Sequence, residues 1–260
     1  MKWVLIAVLS ATLAQWPPFA RNNTPLDGPP PRLPNGKIDF SGTWESRIPP
    51  SGRLGGPMVP NLNPATDPPL ANFANIGQNF KEGLPFTPWA AELRKQRMST
   101  NSRENPDAHC LPLGFMQLHT HSQPRKVVQN VNDLVIMYEA NYGLRNIYTD
   151  GRSLPANDPQ PWWYGYSVGK YDGDTLVVET IGLRDDGWLD VNGAPFTSAA
   201  KITERFRRPT YGRMEIDVTI DDARAYTRPW TVRVNWRLGA DEEPIEFVCN
   251  ENNVDVGHLK

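Results

Sequence analysis

The sequence predicts a mainly β protein: an antiparallel β-barrel or strongly curled sheet, with one short helix and a Pro-rich N-terminal arm. Three observations predict it. From Lys126 onward apolar residues recur with period 2, the signature of strands with one buried face. Short clusters of Gly, Asn and Asp separate these runs, as hairpin turns do. No strand–helix–strand rhythm occurs, which excludes a dinucleotide-binding α/β fold.

The chain opens Met1-Lys2 and runs from Trp3 to Leu13 almost without a polar residue, ending at Thr12-Leu13-Ala14. A short basic region, an apolar stretch and small residues at −3 and −1 are the pattern of a secretory signal peptide, expected at residues 1–14. The mature chain is therefore expected outside the cytoplasm, periplasmic or extracellular. Residues 15–84 carry most of the 26 prolines and read as an extended arm laid over the surface. The remainder, residues 85–260, reads as the barrel domain with its helix at the start. That helix is marked by Thr87 as N-cap, Pro88 at the first helical position and the Trp89/Leu93 pair, and runs to about Met98.

Strands are expected at 126–130, 134–140 and 144–149 as a meander, then at 164–170 and 175–181 as a hairpin across Tyr171-Asp172-Gly173-Asp174. A second hairpin joins 201–207 to 213–221, and strands 231–238 and 245–250 complete the series. In Met214, Ile216, Val218 and Ile220 one face is apolar, while Glu215, Asp217, Thr219 and Asp221 are wet. Pairing Phe206 with Met214 and Ile202 with Val218 leaves a three-residue loop, Pro209 to Tyr211, and sets Arg205 opposite Glu215.

Composition narrows the function. Lys+Arg 27 against Asp+Glu 29 gives a net charge of −2, without the basic field that draws a nucleic-acid backbone, so no nucleic-acid partner is expected. A mean hydropathy of −0.53 and no second long apolar run leave no membrane span after the signal peptide. Cys110 and Cys249 are the only cysteines, and in an exported chain they are expected to form one disulfide.

Glu204 breaks the pattern, because it falls between Ile202 and Phe206 on the face that should be apolar. A carboxylate there must be paired, hydrogen-bonded or protonated. Glu251 continues the Ile245, Phe247, Cys249 face, and Tyr148 stands at a strand end. These three are the candidate acid/base groups; Glu179 and Glu139 are weaker cases. The alternative is that Glu204 is salt-bridged inside the barrel to an arginine such as Arg145. Trp162, Trp163, Tyr164 and Tyr166 share one stretch, with Trp188 in the next loop and Trp236 on a strand. Of these, Trp163, Tyr166, Trp188 and Trp236, with Arg145, are the candidate ligand contacts, since aromatics with polar tips suit a partly apolar or sugar-like molecule. His119-x-His121 would present two imidazoles on one face of an extended segment, but no third ligand can be named, so no metal and no cofactor are expected. Phosphate-loop and His-Glu-x-x-His motifs do not occur.

The runs Tyr148-Thr149-Asp150-Gly151-Arg152, Gly165-Tyr166-Ser167-Val168-Gly169, Asp172 to Thr180, Trp188-Leu189-Asp190, Thr203 to Arg208 and Val248 to Asn253 together resemble an uncharacterised family of exported bacterial proteins. The likeness spans roughly Phe40 to His258. It includes Cys110-x-Pro112-x-Gly114, which agrees with the disulfide, and it implies a single exported domain but no activity. Where the family has Gly-x-Pro-His-Ser, this chain has Gly193-Ala194-Pro195-Phe196-Thr197. The Phe40-Ser41-Gly42-Thr43-Trp44 run is similar to the opening of lipocalin-type barrels.

The resulting expectation is an exported barrel enzyme acting on a small, partly apolar molecule by carboxylate acid/base chemistry, as an isomerase, cyclase, lyase or hydrolase. A small-molecule-binding barrel of the cell envelope without turnover is the alternative.

Overall fold

The computed structural model describes residues 24–46, 67–156, 161–239, 242–249 and 251. The expected signal peptide and His258 lie outside them. Nine strands close into a barrel in sequence order: β1 (Gly42–Glu45), β2 (Arg125–Gln129), β3 (Asp133–Tyr138), β4 (Leu144–Tyr148), β5 (Tyr166–Asp172), β6 (Thr175–Ile181), β7 (Lys201–Thr210), β8 (Arg213–Asp221) and β9 (Trp230–Leu238). Helix α1 (Pro88–Ser99) begins as expected, with the Thr87 hydroxyl accepting from the Ala90 N–H. A second, one-turn helix, α2 (Phe115–Thr120), has every residue buried. No helix among the described residues is long and apolar enough to cross a membrane.

Alternation dictates the barrel. The inward row Met214, Ile216, Val218, Ile220 has no exposed surface, and neither does Val232 on β9. Each such side chain withdrawn from water is worth about 1.5–3 kcal/mol. The Asp172-Gly173-Asp174 turn joins β5 to β6 with Asp172 opposite Thr175 and Gly173 at φ +60°, a conformation that glycine adopts without strain.

Four expectations need correction. First, the ninth strand is β1, inside the 15–84 segment, and not 245–250. Residues 242–249 are irregular, and Asn250 lies outside the described residues. Strand β1 pairs with both β2 and β9 and so closes the sheet. Elsewhere the arm does lie on the surface: the Arg233 N–H donates to the Pro69 carbonyl and the Ala71 N–H to the Arg233 carbonyl, covering the part of the β9 edge that short β1 leaves open. Second, the β7–β8 register differs by two residues: Phe206 faces Ile216 and Ile202 faces Ile220. A step of two preserves the faces, which is why period 2 alone could not exclude the wrong pairing. Third, the turn is correspondingly tighter, with Thr210 opposite Arg213, and Arg205 opposes Asp217 while Arg207 opposes Glu215. Fourth, β4 and β5 run parallel, joined only at Ile147–Ser167 and Tyr148–Val168.

Cys110 and Cys249 form a disulfide across a sequence separation of 139, an arrangement consistent with an exported chain. The bridge ties the irregular 242–249 segment to the turn ahead of α2.

Candidate functional site

The interior holds a polar cluster built on Glu204. Because β7 places it between Ile202 and Phe206 facing inward, its carboxylate is fully buried. Arg145 on β4 reaches it from across the barrel: Nη1 donates to Oε1 at 2.9 Å and Nη2 to Oε2. The same guanidinium donates to Ser167 Oγ through Nε at 3.2 Å and to Thr180 Oγ1 through Nη2 at 2.9 Å. The ring of Phe115 stacks on it at 4.6 Å.

His119, on α2, completes the cluster. Its Nε2 lies 2.9 Å from Glu204 Oε1, and Nδ1 lies 3.4 Å from the Tyr138 hydroxyl. A neutral ring that donates from Nε2 to Glu204 and accepts from Tyr138 at Nδ1 satisfies both contacts. Burial lowers the His119 pKa more than the adjacent carboxylate raises it, which favours that neutral form. For Glu204, burial pushes the pKa up, but the Arg145 charge and the hydrogen bonds from His119 and Arg145 outweigh it and hold the carboxyl at about 2. Charge is balanced within the cluster, one carboxylate against one guanidinium.

Beside this cluster the closed barrel carries a cleft. Parallel strands β4 and β5 are paired at only two positions, and toward their N-terminal ends they separate around a cleft of about 310 Å³. Arg145 and Ser167 lie among its lining residues; Leu144, Asn146, Tyr148 and the stretch Trp162 to Tyr166 form the rest. Tyr148 and Tyr166 stack at 5.2 Å, and Tyr166 and Trp162 at 5.5 Å. Arg152 lies over the Tyr148 ring at 3.8 Å and donates to the Tyr166 hydroxyl at 3.1 Å. Arg184 covers Trp163 at 4.6 Å. The Tyr164 hydroxyl is buried without a hydrogen-bond partner among the described residues, and burial raises its pKa. A second hollow of about 360 Å³ lies beyond Arg152, on the outer face of β5 and β6, with Lys170 and Glu179 among its walls.

Of the candidate residues, the cleft brings together Arg145, Trp163, Tyr166 and Tyr148, and Glu204 lies behind Arg145. It does not include Trp188 or Trp236, which are core. Arg97 stacks on Trp188 at 4.5 Å, and Trp236 Nε1 donates to the His119 carbonyl at 2.9 Å. Glu251 is exposed in the irregular C-terminal segment, not on a strand face shared with Cys249. Glu139 is held by the Gln123 side chain and the Ile245 N–H, and Glu179 is exposed. His119 and His121 do not share one face of an extended segment as expected, because helix α2 turns His119 inward while His121 packs edge-on against Phe73. Among the described residues no three His, Cys, Asp or Glu side chains are grouped to hold a metal ion.

Sequence reasoning missed His119 as the partner of Glu204. The only signal was the Phe115/His119 spacing of four, in an element too short to distinguish from a loop. Comparison with protein-family models, with curated proteins and with solved structures gave no match.

Proposed function

We propose that this protein is an exported, periplasmic or extracellular barrel that binds a small, partly apolar molecule in the cleft between β4 and β5, without turning it over. The observation that carries this reading is the row of stacked rings Tyr148, Tyr166 and Trp162 along the cleft. Preorganised aromatic surface with a few fixed polar groups is what small-molecule sites are made of.

The geometry favours binding over the acid/base chemistry the sequence suggested. A carboxyl held near pKa 2 is a weak base at neutral pH and has no proton to give as an acid. Both Glu204 oxygens are engaged by Arg145 and His119, and the side chain is sealed from solvent.

Soaking crystals of the oxidised protein with a library of small uncharged fragments tests the reading. Fragments are expected to collect in the cleft, in contact with Tyr166 and Trp162. Density only at other places on the surface would overturn it.

A further inference from the structure

We infer that the cleft is a saccharide site, selective for an uncharged sugar ring; the inference rests on the cleft being the binding site. Three observations carry it.

The first is electrical. Three arginines border the cleft or pack on its rings, and each has its own carboxylate. Arg145 is paired with Glu204, Arg152 with Asp150 through Nη2 at 2.6 Å, and Arg184 with Asp186. An ionic ligand would lose hydration on entering and find no unspent opposite charge among these arginines and their carboxylates, so they discriminate against it.

The second is the shape of the aromatic row. Tyr148 and Tyr166 are inclined by 33°, Tyr166 and Trp162 by 41°. Trp162 remains 43% exposed. Tyr166 lies between its two neighbours and Arg152 covers Tyr148, so Trp162, at the end of the row, is the ring that offers surface to a ligand. Arg152 fixes the row from one side by stacking on Tyr148 and bonding the Tyr166 hydroxyl. The Trp162 backbone is fixed from the other side by bonds to the Gly182 carbonyl and the Arg184 N–H. Rings held in place before the ligand arrives lose little entropy on binding.

The third is what surrounds the rings. Asn146 contributes an exposed amide that both donates and accepts, and the Arg152–Asp150 pair offers further donors and acceptors at the rim. A flat hydrocarbon would stack on the rings but leave these groups without partners. A pyranose supplies both halves: a face of C–H groups for the rings and an edge of hydroxyls that donate and accept. At about 310 Å³ the cleft sits at the low end of ligand pockets, which run from about 300 to 1,000 Å³, and this suits a single sugar ring. The second hollow, past Arg152, offers a place for a neighbouring ring. Its Lys170 and Glu179 also balance in charge.

Isothermal titration with short neutral cello-, malto-, xylo-, manno- and N-acetylated chito-oligosaccharides, each beside a uronic-acid or free-amine counterpart, tests the inference. At least one neutral saccharide is expected to bind, with its charged counterpart about tenfold weaker or worse. Trp162→Ala should weaken that binding about tenfold without lowering the melting temperature, whereas Trp89→Ala, which alters an exposed tryptophan on α1, should leave it unchanged. Tighter binding of the charged counterparts, or no binding by any saccharide, overturns the inference. If fragments occupy the cleft while no saccharide binds, the ligand class alone is wrong; if neither binds there, the cleft reading falls with it.

Discussion

Arg145 on β4 and Glu204 on β7 meet inside the barrel as a two-point ion pair, the arginine 2% exposed and the glutamate not at all. Ser167, Thr180 and His119 take up the remaining hydrogen-bonding capacity of the two groups. Such a pair adds little over a well-packed apolar substitute, but removing one member leaves the other charged, buried and alone.

Replacing Glu204 by Gln should therefore cost about 3–5 kcal/mol, the usual consequence of breaking a buried pair. Urea unfolding of the two proteins, compared at equal slope, measures it. The double variant Glu204→Gln, Arg145→Met should recover part of the loss. A single variant as stable as the parent would mean that the pair is not formed.

Stability should fall with acid in two stages. The Glu204 pKa is depressed from 4.5 to about 2 in the fold, so the unfolded chain binds the proton first. Its contribution is complete above about 4.5 and is lost as pH falls toward 2. His119 and His121 are also depressed, from 6.5, chiefly by burial. They act in the same direction, with losses beginning as pH drops below 6.5. His119→Gln, which keeps a donor toward Glu204, should shrink the upper stage. A melting temperature flat from pH 7 to pH 3 would contradict both assignments.

Reduction of the Cys110–Cys249 bridge should lower the melting temperature. The closed loop spans 139 residues. The chain-entropy model assigns about 5 kcal/mol to a loop of that order, as an upper value. Calorimetry with and without reductant measures the difference. An unchanged transition would show that the unfolded chain is not restrained by the bridge.

Gly114→Ala should prevent normal folding. A Cβ at Gly114 would sit 1.6 Å from the Trp188 carbonyl oxygen, which is backbone and cannot move aside as a side chain would. Gly151→Ala tests a different effect, because there a Cβ meets nothing but φ is +88°. Its cost should be limited to backbone strain, about 1–2 kcal/mol. Equal stability losses in the two variants would refute the steric account.

Reading the strands was a local problem, and the alternating rows from Lys126 to Leu238 solved most of it. The inward place of Glu204 was visible because one charged residue in a periodic apolar row stands out, and Arg145 could be named as a partner. The role of His119 was not visible, since six residues of α2 carry too short a pattern to show which way the ring turns. Trp188 and Trp236 could not be separated from Trp163, because composition does not say which tryptophans face an opening.

The sequence by itself determined the class of fold, the hairpins, α1, the disulfide partners and the buried carboxylate. Each of these depends on residue type and near-neighbour spacing. Only the tertiary structure decided that the ninth strand comes from the arm, that the β7–β8 register shifts by two, that β4 and β5 run parallel and part to form the cleft, and that His119 joins Glu204. The physical reason is common to all four. A sheet edge accepts any strand with free hydrogen-bonding groups, and a shift of two residues leaves every side chain on its own face. The choice among such alternatives is made by side-chain packing between segments far apart in the chain, which local periodicity does not record.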